Sequence, residues 1–86
     1  MRRYMMKIAE RVGQVTGVNP DDIWAKGKHP PTVLARSLLC YWATRKLGKS
    51  MSSLSERLAI TPAAVAQSVL RGERLAKENG YELEEE

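Results

Sequence analysis

Two cap-plus-proline pairs, Asn19-Pro20 and Thr61-Pro62, divide this chain more firmly than any other feature in it. In each, a short polar side chain can accept from the first unpaired backbone N–H groups of a helix, and the proline that follows has a fixed φ already suited to the first helical position. Each pair marks a helix start. Around them Gly17, Gly27, Pro30-Pro31 and Gly48 supply stops. Nowhere does alternation of β-branched or aromatic residues persist between turn signals, so no strand is expected. A chain of 86 residues cut at those points is left with short helices around one core.

The apolar spacing fills in the segments. From about Arg3 to Thr16, Tyr4, Ile8, Val12 and Val15 fall on one helical face. A short helix opens at Pro20 with Asp21 and Asp22 at the positive end of its dipole, and Gly27 and Pro30-Pro31 end it. The stretch from about Thr32 to Lys46, with Val33, Leu34, Leu38, Cys40, Tyr41, Trp42 and then Leu47, predicts a central core helix closed by Gly48. Ser50 caps a fourth helix with Met51, Leu54 and Leu58 on one face. Thr61 caps a fifth, with Val65 and Val69 inward. Gly72 costs about 1 kcal/mol relative to Ala in a helix, so the fifth helix either ends there or continues weakly to Ala76. The expected fold class is all-α, with five helices and room for a frayed sixth piece.

Charge is distributed unevenly. The net charge is +4, yet all 14 lysines and arginines lie in residues 1–77, against Glu10, Asp21, Asp22, Glu56 and Glu73. Residues 78–86 hold Glu78, Glu82, Glu84, Glu85 and Glu86 and no cation. This predicts a basic domain over 1–77 that meets a polyanion, and an acidic, disordered tail over 78–86. One cysteine, Cys40, excludes an internal disulfide, and one histidine, His29, excludes a Cys/His zinc set. Cys40 is expected to be a buried, inert thiol and His29 a loop residue. No run approaches the roughly 18 apolar residues of a membrane span, and the start lacks the apolar stretch of a signal peptide, so a cytoplasmic location is expected. Asp21 and Asp22 diverge by about 100° around a helix and suit capping better than a shared acid/base site. Trp24 and Trp42 are read as core. No enzyme, metal, cofactor or small-molecule substrate is indicated.

The informative stretch is Leu54 to Val69. Two short helices meet through about four residues, with Leu54, Leu58, Ile60 and Val65 placed to pack them at the steep angle of a helix-turn-helix. The second helix then presents Ala63, Ala64, Gln67, Ser68 and Arg71 outward, behind its cap Thr61. Gln can pair with adenine, Arg with guanine, and an Ala methyl can touch the thymine methyl, so these residues are the candidate contacts to double-stranded DNA. Ala59 occupies the turn position that usually holds a left-handed Gly, at about 1 kcal/mol of strain. Arg36, near the start of the long helix, and Ser50 with Ser53, at the start of the fourth, are placed to meet phosphate oxygens. Arg36 could instead pair with Asp21 or Asp22. Arg45, Lys46 and Lys49 read as a solvated helix end.

From about Val12 to Ala76 the chain resembles the C-terminal DNA-binding domain of the bacterial replication initiator DnaA, in the Trp-repressor-like class. VGQVTGVNPDDIWAKGKHP is similar to that family's first helix, turn, short acidic helix and basic loop. ARSLLCYWATRKLGKSMSSLSERLA is similar to its central helix and the first helix of its helix-turn-helix. The family's Asp-His-Thr-Thr-Val is replaced by Thr61-Pro62-Ala63-Ala64-Val65, so its target sequence does not carry over. Segments with Arg-Ser-Leu-Leu-Cys-Tyr-Trp-Ala before such a helix pair look like the C-terminal part of REP-associated tyrosine transposases. The resemblance implies a bacterial, nucleoid-associated DNA-binding domain; no ATPase module is expected in this stretch, and the His-hydrophobic-His metal pair of such a transposase's nuclease cannot be formed with His29 alone. It also implies that Lys28, with Lys26 beside it, enters the minor groove from the basic loop, where a narrow A·T-rich groove favours cations. A free-standing regulator, or a protein-interaction module packing Ala63, Ala64 and Ala66 on a partner helix, are the alternatives. Target sequence and oligomeric state stay open.

Overall fold

The computed structural model describes residues 2–24 and 30–83, with side chains over 6–23 and 30–83. Among the described residues there are five helices and no strand: α1 (Arg2–Thr16), α2 (Pro20–Trp24), α3 (Pro30–Leu47), α4 (Met51–Leu58) and α5 (Pro62–Asn79). Helix α3 is the spine. It packs against α5, α1 and α2, while α4 leans on α5. Ala35, the run Ser37 to Cys40, Trp42 and Ala43 are all buried, which covers α3 on nearly every side, as a helix surrounded by its neighbours requires. Around it close Ile8, Ala9 and Val12 of α1, Ile23 of α2, Leu54 and Leu58 of α4, and Val65, Val69 and Ala76 of α5. The radius of gyration, 11.4 Å, matches the roughly 12 Å of one close-packed domain of this length.

The helix starts follow the caps. Asn19 Oδ1 accepts from the Asp21 N–H at 2.9 Å, Ser50 Oγ from the Ser53 N–H at 3.0 Å, and Thr61 Oγ1 from the Ala64 N–H at 3.1 Å. Gly17 and Gly48 take the left-handed conformation after α1 and α3. Pro30 and Pro31 depart from expectation: they are the first two residues of α3, where missing N–H groups cost nothing, and so lengthen the helix that Thr32 was expected to open. Met51, grouped by spacing with Leu54 and Leu58, is exposed at the first position of α4.

The largest difference lies at Gly72. It does not end α5, which continues past Ala76 to Asn79. A Cβ there would stand 2.2 Å from the Ser37 carbonyl oxygen and 2.8 Å from Tyr41 Cβ. The glycine is what lets the two longest helices cross backbone to backbone. After α5, Gly80 turns left-handed and the Tyr81 N–H donates to the Ala76 carbonyl at 2.9 Å. Tyr81 and Leu83 then pack on the core, and Arg11 Nε donates to the Glu82 carbonyl at 2.8 Å. Residues 78–83, the start of the expected acidic tail, are thus helix end and a return onto α1 and the core.

Candidate nucleic-acid interface

The pair α4–α5 is joined by Ala59, Ile60 and Thr61. Ala59 adopts φ 59°, ψ 42°, the left-handed geometry that costs a residue with a Cβ about 1–2 kcal/mol. Ser55 braces it. The Ser55 carbonyl accepts from the N–H groups of Ala59 and, at 3.1 Å, of Ile60, while the Ser55 hydroxyl donates to the Ile60 carbonyl. Ile60 packs against the core, so the turn is fixed from both ends before α5 begins.

Along α5 the inward stripe is Val65, Val69, Gly72 and Ala76. The opposite side carries Ala63, Gln67, Arg71 and Arg74, at spacings of four, four and three, and all four are exposed. Thr61 is exposed at the head of this row. Ala64 and Ser68 are half-buried on its flank. Leu70, 60% exposed, is the one large apolar side chain on this side. Five of the residues singled out by sequence, with Thr61, are therefore brought together on one helix: Ala63, Ala64, Gln67, Ser68 and Arg71.

The other candidates are placed differently. Ser50 is exposed, but its Oγ is occupied as the α4 cap. Arg36 is half-buried and its Nε donates to the Ile23 carbonyl at 3.2 Å, so it fastens the end of α2 to α3. Lys26, Lys28 and His29 lie outside the described residues, as does the Trp24 side chain. Arg45 sits over the Tyr41 ring at 5.8 Å and reaches Glu73 at 3.5 Å, and Lys77 reaches the same carboxylate at 3.3 Å. These contacts tie the end of α3 to α5 and use up the half-buried Glu73.

Arg74 was not foreseen. Its spacing from Gln67 and Arg71 marks the same face, but only if the helix continues past Gly72, which the sequence leaves open. Among the described residues Arg71 and Arg74 have no ion-pair or hydrogen-bond partner.

Elsewhere, Cys40 is buried and its thiol is pushed up to about 11 by burial, against the lowering effect of the Arg36 charge. Trp42 is likewise core. Among the described residues no group of three His, Cys, Asp or Glu could hold a metal ion, and no helix is long and apolar enough to cross a membrane.

Among the described residues, fold and surface together define an all-helical domain in which the outer row of α5 is small, amide-bearing and cationic. Compared with known families, curated proteins and solved structures, the chain matches none of them.

Proposed function

We propose that the domain binds double-stranded DNA sequence-specifically, as a helix-turn-helix of the Trp-repressor and DnaA C-terminal kind, with α5 in the major groove. The carrying observation is the row Ala63, Gln67 and Arg71, wholly on the exposed side of α5, in a stretch from Pro62 to Gly72 that holds no carboxylate. Small residues near the helix start let the backbone approach base edges, Gln67 matches the donor-acceptor pair of adenine, and Arg71 the two acceptors of guanine. The braced turn supports this reading because base readout needs a helix held at a fixed angle. A role as the DNA-binding domain of a REP-associated transposase fits the same chemistry.

The test is selection from random duplexes, repeated with Gln67→Ala and Arg71→Ala. Each substitution should relax preference at its own position by about 1–3 kcal/mol. An unchanged selection profile in both variants refutes groove insertion by α5. Salt separates the alternative: a complex held through Leu70 and the alanines against a partner helix would not weaken steeply as ionic strength rises, whereas a DNA complex would.

A further inference from the structure

Three regions remain after that assignment. A groove between α3 and the chain end, lined by Tyr41, Trp42, Lys46, Lys77 and Tyr81, is open and one of its two cations is spent on Glu73. The return of Tyr81 to Leu83 over the core is a structural tie. The far half of the α5 outer face carries more, because it holds a cation with no ion-pair partner among the described residues.

Resting on the DNA-binding reading, we infer that Arg74 grips the phosphodiester backbone at the rim of the groove and reads no base. Length decides between the two roles. At 1.5 Å per residue, Gln67 lies about 6 Å, Arg71 about 12 Å and Arg74 about 17 Å along the axis from Ala63. The major groove is about 12 Å wide and 8.5 Å deep, and a recognition helix meets base edges with its N-terminal residues. Gln67 is inside that span, Arg71 at its limit and Arg74 beyond it, where the strand's phosphates run. Arg74 is exposed and, among the described residues, has no ion-pair or hydrogen-bond partner, and the nearest described acidic groups do not reach it. Glu73 is shared by Arg45 and Lys77. Glu78, one turn on, follows the arginine by four residues, the less favourable order for a helical ion pair. A guanidinium presents a planar fork that suits phosphate oxygens.

The experiment measures affinity for a selected duplex and for a scrambled one across a salt series, with the wild type, Arg74→Ala, Arg74→Lys and Arg71→Ala. Circular dichroism confirms that each exposed-site variant is folded. Removing one phosphate contact should flatten the slope of log K against log salt by about 0.9, so R74A loses about 3.5-fold less affinity than the wild type between 50 and 200 mM salt. R74A should weaken both duplexes by the same factor and leave the selection profile intact, and R74K should restore the slope. R71A should instead change the profile. An R74A slope equal to that of the wild type, or a loss confined to the selected duplex, overturns the inference while leaving DNA binding standing. A wild type that binds neither duplex removes both.

Discussion

Replacing Gly72 by Ala sets two effects of opposite sign against each other. Helix propensity favours alanine by about 1 kcal/mol in the middle of α5. Against this, the added methyl would stand 2.2 Å from the Ser37 carbonyl oxygen, 2.7 Å from the Ser37 carbonyl carbon and 2.8 Å from Tyr41 Cβ. Ordinary contacts of this kind begin near 3.4 Å, so α5 and α3 would have to part by about 1 Å, and two of the three obstructing atoms are backbone that cannot rotate away. Overpacking of a well-filled interior costs about 1–3 kcal/mol, and more where main chain must move. The crossing also sits beside Val69 and Ala76, whose burial would loosen with it. We expect a net loss of about 2 kcal/mol, which in a domain of this size lowers Tm by about 8–16 °C. Thermal and urea unfolding of G72A, with Leu70→Ala as an exposed control on the same helix, measure it. A G72A protein as stable as the wild type, or more so, would show that the two backbones do not meet at this point.

Other outcomes follow from the turn and from the core. Ala59→Gly should raise the urea midpoint, because relief of about 1–2 kcal/mol of left-handed strain exceeds the 0.4–1 kcal/mol or so of extra chain entropy in the unfolded state; a lowered midpoint would mean that the turn is not left-handed in solution. The buried Cys40 thiol has its ionisation pushed up from 9.0 to about 11, so the folded chain holds that proton longer than the unfolded one. Its contribution is complete below about pH 9 and is lost as pH rises towards 11, so the wild type should lose more stability than Cys40→Ala across that interval. Parallel stability curves for the two proteins would contradict the burial.

What was legible beforehand was local. Asn19, Ser50 and Thr61 announce their helices because each cap acts within three residues of itself, and the density of apolar residues from Leu38 to Trp42 marks a helix that must be covered on most sides. What was hidden depends on partners far along the chain. Gly72 has a helix-breaking propensity and a helix-crossing role, and only the position of Ser37, 35 residues earlier, decides between them. That one residue leaves the end of α5 open between Gly72 and Ala76, short of the observed Asn79, and so leaves Arg74 off the recognised row. Pro30-Pro31 reads equally as the end of one helix or the start of the next. Arg36 is a cation whose side chain turns to a backbone carbonyl, a choice that charge patterning cannot see. The exposed row itself was readable as far as Arg71, because its face follows from where Val65 and Val69 must point.

The braced turn and the Gly72 crossing hold α5 like a beam on two supports, about 16 Å apart from Thr61 to Gly72. Shifting either support by an ångström tilts the whole beam by about 4°, moving Ala63, Gln67 and Arg71 in concert. Changes at Ser55, Ala59 or Gly72, none of which touches a ligand in this arrangement, would therefore alter recognition at several positions simultaneously. Under the proposed DNA-binding reading such a variant would retune the domain as a unit, whereas a change on the outer row would edit one letter.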